Sequence, residues 1–461
     1  MSTKSQSKLC LLGFVLAASA LAQWDPYNVL GNLASQTYAT SWNPARRIAA
    51  SANAVHVVWY DCTLPDRQIN YRRSTNAGQS WAAPVALATA VDTWPDPTVA
   101  VAGSVVHVAW YQGPDSSGGV WYIRSTDGGQ TWSQSRRLSD SLGWGSTRPS
   151  LAACGSDVHL VWLDARSGWE EIYYKRSTDA GATWGNDTRL GMDTLTLILG
   201  EPAVAASDSG VHVVWMTGAL PTSIRYARST NRGITWSGPT SLTTTYAVCP
   251  IDVACAGSAV HVAWTDLSGI WYRRSINNGG AWLATTQISS DSLWPDSPCL
   301  AASGTTVHAV WVHNYQGYSE VYYRRSTCTG ATWEPEFNVS DYYILHRGNA
   351  TVATSGTVVH VLWQDDRDLF RYELYHRRNA HNGAWVEEEQ RTGRPRVGGE
   401  PAVVRDIWGT TASEETLLLD VLGRAVRRFE EGRNMQPEVA PGVYFLITPR
   451  NHYIRKLVVV R

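Results

Sequence analysis

The run Val158-His159-Leu160-Val161-Trp162 is one of seven copies of a single pattern, and that repetition limits the fold more than any other feature of the chain. It returns as VHVVW, VHVAW, VHAVW or VHVLW ending at Trp59, Trp110, Trp215, Trp264, Trp311 and Trp363, at intervals of 47 to 53 residues. A fixed period of this size marks a repeat architecture. A second marker keeps phase with the first: Ser-x-x-x-Gly-x-x-Trp, from Ser74 to Trp81, Ser125 to Trp132, Ser177 to Trp184, Ser229 to Trp236, Ser275 to Trp282 and Ser326 to Trp333. A seventh copy, Asn379 to Trp385, is degraded and one residue shorter.

Each unit reads as four short strands. In the third copy these are Pro149 to Cys154, Val158 to Asp164, Glu170 to Ser177 and Trp184 to Leu190, separated by Gly, Ser, Asp and Pro without helical periodicity. Trp (23) and Tyr (21) far outnumber Phe (5), a bias that favours strands. One such meander cannot bury both of its faces, whereas several arranged radially can, and closure protects their edges. The expected fold is therefore all-β: a seven-bladed β-propeller of four-stranded antiparallel blades, with six or eight blades as the alternatives. Trp24 to Gly31 aligns with Trp184 to Gly191, so an N-terminal strand competes with Trp385 to Thr392 to complete the last blade, and we favour the N-terminal one.

In the turn, a carboxylate or amide at the third position accepts backbone N–H groups, Gly supplies a positive φ and Trp packs beneath. This resembles the Asp box of the bacterial neuraminidase (BNR) repeat, found in sialidases and many other propellers. Asp stands at that position in Asp127 and Asp179; Asn76, Asn231, Asn277, Cys328 and His381 replace it elsewhere. The resemblance covers roughly residues 24 to 392 and specifies fold better than activity.

The ends of the chain differ from the repeats. Residues 1–22 read as a signal peptide: Lys4 and Lys8, an apolar Leu9 to Leu16, and Ala20-Leu21-Ala22 before Gln23. No later segment approaches the ~20 apolar residues of a membrane span. The propeller is assigned to residues 23–394. Residues 395–461 contain Leu418-Leu419-Asp420-Val421-Leu422-Gly423-Arg424, Pro441-Gly442-Val443-Tyr444-Phe445 and a basic-apolar end. They resemble the type A C-terminal sorting domain of type IX secretion, which implies a small β-sandwich, export by that machinery, and a secreted or outer-surface location. A fibronectin-like cap is the structural alternative. Six cysteines remain after the signal peptide, and we read them as buried free thiols.

Repetition separates structural from functional residues. His56, His107, His159, His212, His261, His308 and His360 fall one per blade, so they read as core hydrogen-bonding groups and not as a metal cluster. The Arg before each turn (Arg73, Arg124, Arg176, Arg228, Arg274, Arg325) reads as an ion-pair or stacking residue. The first and third turns share one face. The second turns and the links between blades share the other, and this variable face is where binding is expected. Its link loops carry Trp94, Trp144 and Trp294 beside Asp96, Asp296, Arg46, Arg148 and Arg347. Indoles beside carboxylates and guanidinium groups suit a sugar-binding face; plugging between blades is the other reading of the tryptophans.

For sialidase chemistry the resemblance implies three arginines on the substrate carboxylate, a Tyr nucleophile with a Glu, and an Asp acid/base. Arg46, Arg148 and Arg347 with Tyr342, Glu201 and Asp66 are the positional candidates. The early Arg-Ile-Pro motif is absent, Ala45 to Ala49 (ARRIA) being nearest, and sialidases of this family have six blades. A net charge of −1 gives no case for nucleic acid or anionic membrane. No metal or cofactor motif is present. The expectation is an exported monomer that binds glycan or a cell-surface protein, with an exo-sialidase-like hydrolase as the alternative.

Overall fold

The computed structural model describes residues 24–33, 46–61, 67–89, 95–113, 118–140, 146–191, 200–218, 221–245, 247–290, 295–315, 318–340, 350–365 and 372–382, together with strands 416–420, 425–429, 442–448 and 453–459. The chain divides into two compact units, Met1–Val386 and Glu387–Arg461. In the second, the described strands form one four-stranded antiparallel sheet, Thr416–Asp420 lying between Ala425–Phe429 and Gly442–Thr448, with Tyr453–Val459 at the edge.

The first unit is a seven-bladed β-propeller of four-stranded antiparallel blades. Blade 5 shows the plan: Ala247–Ala256 innermost, then Ala259–Asp266, Gly269–Ser275 and a two-residue outer strand, Thr286–Gln287. The outer strand is shorter than the sequence suggests. In blade 3 only Thr188–Arg189 pairs, and Trp184 precedes the strand. Blade 7 is composite: Thr351–Ser355, Val358–Asp365 and Tyr372–Asn379 are completed by Asn28–Leu33 from the start of the chain. Residues 385–392, the competing candidate, lie outside the described residues. Trp24 then packs edge-on against Tyr323 with ring centroids 5.0 Å apart, as each Asp-box Trp does against the preceding blade.

The second strand of each blade reads as a continuous apolar run because both of its faces are covered; in Asp157–Asp164 every residue is buried. Seven apolar cores result, one for each interface between neighbouring blades. The interfaces are built alike. The repeat histidine shares a hydrogen bond with a Tyr of its own blade, as in His261 Nδ1 to Tyr272 Oη at 2.6 Å and His107 to Tyr122 at 2.7 Å. That Tyr meets the Asp box of the next blade: Trp333 stands edge-on to Tyr272 at 5.0 Å, and a Cβ on Gly330 would collide with the Tyr272 hydroxyl. Gly330 also has φ +75°, so no other residue fits there. In blade 7 His376 replaces the Tyr and bonds His360 at 3.1 Å.

The Arg before each turn is neither an ion-pair nor a stacking residue in the main. Its guanidinium donates to a carbonyl of the Asp-box turn in the next blade: Arg124 to Ala180, Arg228 to Asn278 and Arg274 to Thr329 at 2.7 Å, Arg73 to Gly128 at 3.0 Å. Arg378 of blade 7 donates to Ala77 of blade 1 at 3.0 Å and closes the ring. A second cation on the third strand binds the outer strand of the blade before, as in Arg324 to Ile288 O at 2.8 Å and Lys175 to Leu138 O at 2.6 Å. Cys154, Cys255, Cys299 and Cys328 are free thiols, and Cys299 is buried as expected. Cys328, at the Asp position of its turn, is instead exposed.

Burial pushes His56, His107, His159, His212 and His261 from the ordinary 6.5 down to about 4, and His308 and His360 to about 3. These folded values lie below the unfolded ones, so the unfolded chain binds more protons between pH 6.5 and 4. Stability therefore falls as pH drops through that window, by about 1.4 kcal/mol per pH unit for each such histidine. Denaturant titrations against pH should show this multi-proton slope, and His261→Gln should reduce it by one proton. A flat profile would contradict the burial. Trp24→Ala should cost roughly 3–5 kcal/mol, as for other buried Trp truncations, seen as a lowered denaturation midpoint.

Candidate functional site

The innermost strands of all seven blades surround a central cavity of about 160 Å³, lined mainly by Ala and Val, with Arg46 at its margin. The residues directly opposite the seven histidines are all alanine, from Ala49 to Ala353. Small side chains are needed where seven strands converge on one axis. Charge enters only where these strands begin, on the link-loop side.

There the seven-fold pattern breaks. Asp96, Arg148 and Ser297 hold left-handed backbone (φ 44°, 57° and 58°), and each precedes a proline. Non-glycine residues in this region cost roughly 1–3 kcal/mol each and persist where surroundings over-determine them. Register shifts of the bulge kind fall between Thr147 and Ser150, Val248 and Ile251, and Asp296 and Cys299. Bulges re-aim side chains next to sites.

Glu201 is 2% exposed and lies 3.4 Å from Arg148 Nε through Oε1, while its Oε2 has no hydrogen-bond partner. Burial first and the neighbouring Asp96 second raise its carboxyl well above the usual range, against the pull of Arg148. Burial thus favours the protonated form of Glu201, with a second carboxyl group, Asp96, within electrostatic reach. The Arg148 side chain is 39% exposed. Arg46 donates through Nη2 to the carbonyl of Val253, carrying its guanidinium from blade 1 to blade 5. Asp296 accepts the N–H of Ser297 at 2.7 Å.

Three residues here escaped the sequence reading: Arg47, Asp252 and Cys299, each nine residues before a repeat histidine. At that position Ser150 accepts the Val204 N–H of the next blade at 3.3 Å, and Asp252 accepts that of Leu300 at 2.7 Å. Burial raises the Asp252 carboxyl, with Arg46 opposing it. Burial lowers Arg47 to about 10, with Asp96 and Cys299 opposing. The signal was available, since only small or hydroxylated side chains hold this position in the other four blades. His313 was likewise unassigned. In blades 2, 3 and 7 its place holds an acceptor for the repeat Trp: Trp110 to Gln112 at 3.3 Å, Trp162 to Asp164 at 3.0 Å and Trp363 to Asp365 at 3.2 Å. His313 is buried against Tyr322 at 4.2 Å with both ring nitrogens unpartnered, and burial lowers it to about 4.

Of the residues expected from sequence, the structure places Arg46, Asp96, Arg148, Glu201 and Asp296 at the starts of the inner strands. It joins Arg148 with Glu201 and brings Asp96 within electrostatic reach of both Arg47 and Glu201. Asp66, Tyr342, Arg347, Trp94, Trp144 and Trp294 lie outside the described residues.

The family model for the BNR/Asp-box repeat matches residues 123–134, the turn of blade 2. No curated protein sequence matches the chain. Among solved structures, the polysaccharide lyase PL25-ulvan lyase superposes with TM-score 0.52 at 11% identity, covering 75% of this chain and 95% of that one. The same lyase bound to -[GlcA(1-4)Rha3S]- gives 0.51 at 11% identity, covering 75% and 95%. The polysaccharide lyase Uly1 gives 0.50 at 11%, covering 76% and 92%. These likenesses establish a shared fold.

The raised carboxyl of Glu201 has a measurable signature. Its raised carboxyl contributes stability below the ordinary Glu range and loses it as pH rises, so Glu201→Gln should fold normally and gain on wild type with increasing pH. Thermal melts between pH 5 and 9 test this; a gap that shrinks with pH would show an ionised, ion-paired Glu201 instead.

Proposed function

We propose that this protein is an exported carbohydrate-binding propeller that takes its ligand on the link-loop face, over the mouth of the central channel. The observation that supports this reading is the gathering of the buried charged residues Arg47, Asp96, Glu201 and Asp252 at the starts of the inner strands. In this reading the part-exposed guanidinium of Arg148 donates to sugar hydroxyl or acidic groups. Asp96 and Asp296 accept from hydroxyls, and Trp94, Trp144 and Trp294 supply stacking faces. The fold shared with polysaccharide lyases is in keeping with a carbohydrate ligand. Residues 395–461 would direct export through the type IX machinery, leaving a monomer secreted or held at the outer surface.

A second reading, an exo-sialidase-like hydrolase, draws on Tyr342 as nucleophile with Glu201, on Asp66 as acid/base, and on Arg46, Arg148 and Arg347 for the substrate carboxylate. Two observations weigh against it. Glu201 is 2% exposed, and Arg46 spends its guanidinium on the Val253 carbonyl.

A glycan array with the mature chain, beside a fluorogenic sialoside assay, separates these. We expect saturable glycan binding without turnover, and a loss of 10-fold or more in affinity in Arg148→Ala, the scale of a charge-assisted hydrogen bond. Turnover abolished by Glu201→Gln would establish the hydrolase, and a blank array with capture of a cell-surface protein would replace the glycan.

A further inference from the structure

The Asp-box face carries one interface unlike the other six. Between blades 3 and 4, four positions that elsewhere hold only uncharged residues, mostly small, carry Cys154, Asp157, Asp208 and Arg232. The other blades have Ala, Val, Gly or Thr where Asp157 stands, Gly or Ala for Asp208, Ser or Ala for Cys154, and Ala, Gly, Asn or Thr for Arg232. All four line a single cavity of about 200 Å³ together with His159. By the logic of repetition, residues that a blade does not need have gathered in one place.

The cavity is built around Asp157, which is 7% exposed. Its side chain meets Arg232 Nη1 at 3.6 Å, beyond hydrogen-bond length, and the Arg232 side chain is itself 66% exposed. A buried carboxylate with so loose a cation partner is costly to maintain. The Arg232 backbone is fixed, since its carbonyl accepts from Arg176 at 2.6 Å, so only its side chain is free to leave. Cys154 donates to Asp208 Oδ1 at 3.3 Å. Burial, then Asp208 and Asp157, push the Cys154 thiol up to about 11. Burial, then Arg176, lower His159 to about 4. Thiol and imidazole are both neutral near pH 7, so the side chains that bring charge to the cavity are Asp157, the exposed Asp208 and Arg232, with the Arg176 guanidinium behind them on the Arg232 carbonyl. Among the described residues no three His, Cys, Asp or Glu side chains group as a metal site, and a compact cation that reached Asp157 would replace the loose Arg232 contact.

We propose that this pocket binds a protonated primary amine, its ammonium on Asp157 and Asp208 in place of the Arg232 guanidinium. An ammonium brings three donors in a compact head, which suits two carboxylates in a small cavity. The volume admits a short alkylamine or a lysine side chain and excludes an oligosaccharide. The site is independent of the link-loop face and survives or fails separately from it.

Calorimetry on the mature chain with 1,5-diaminopentane and with N-acetyl-lysine amide tests the assignment. We expect saturable binding that weakens with salt, a loss of at least 10-fold in Asp157→Asn, and a gain of threefold or more in Arg232→Ala, which removes the internal competitor. Binding of the diamine alone points to a free amine, and binding of both points to a lysine side chain. Failure of both probes to bind wild type and Arg232→Ala overturns the proposal, as does Zn²⁺ binding without amine binding. Arg232 is exposed, so its variant should fold even if Asp157→Asn does not; amine affinity unchanged or weaker in Arg232→Ala also overturns it.

Discussion

The contact on which everything else rests is the meeting of one blade's His–Tyr pair with the glycine and tryptophan of the next blade's turn. No single blade can be stable by itself, because each apolar core lies between two sheets. The tie is directional. Each blade offers a tyrosine and an arginine forward, and receives a glycine, a tryptophan and a carbonyl in return. A directional contact repeated around an axis must close or leave an unsatisfied end. Here Arg378 on Ala77, and Trp81 beside His376 at 4.9 Å, supply the closing contact in blade 1. Blade 7 departs from the pattern at its Tyr and turn, and the N-terminal segment compensates: Asp25 bonds both the backbone and side chain of Arg378, and Trp24 fills the tryptophan place.

The fold was legible because its determinants are local and repeated seven times. Alternation, turn glycines and aromatic spacing each carry a physical meaning within about eight residues. The closing strand was legible for the same reason, since Trp24 to Gly31 keeps the phase of an Asp-box tryptophan and the strand after it. What the arginines do was not. Arg124 and Arg274 reach carbonyls about 55 residues away in another blade, and no spacing within one repeat announces a partner in the next. The site was half legible. Loop residues such as Arg148 and Glu201 were candidates by position alone, and their pairing depends on blades 3 and 4 lying side by side. Arg47 and Asp252 were passed over because they sit within the repeat at a position that looks structural. They are structural in part, and Asp252 does with a carboxylate what Ser150 does with a hydroxyl.

Buried charge is expensive unless geometry repays it. The strand starts hold Arg47, Asp96, Glu201 and Asp252 nearly out of water, and three answers to that cost are visible. Burial shifts Glu201 towards its protonated form, Asp252 takes a backbone N–H from the next blade, and Arg47 lies near Asp96. Charge is not needed at the Asp252 position for closure, because blade 3 makes the same inter-blade bond with Ser150. Charge retained where a neutral residue would serve, beside backbone held in left-handed conformations, is the pattern expected of a site.

The two ends of the ring therefore differ in kind. On the Asp-box end the turns are nearly identical because each must present the same glycine and carbonyl to a neighbour, and a departure there is tolerated only where it leaves those groups in place. Arg232 meets that condition: its backbone still serves Arg176, and its side chain is released. On the link-loop end the inner-strand starts are held by neighbours, as Arg148 is by Glu201 and Arg46 by the Val253 carbonyl. A ligand over the channel mouth would touch several blades at once. Its affinity would then depend on the closure of the whole ring, tying recognition to the same inter-blade contacts that hold the fold.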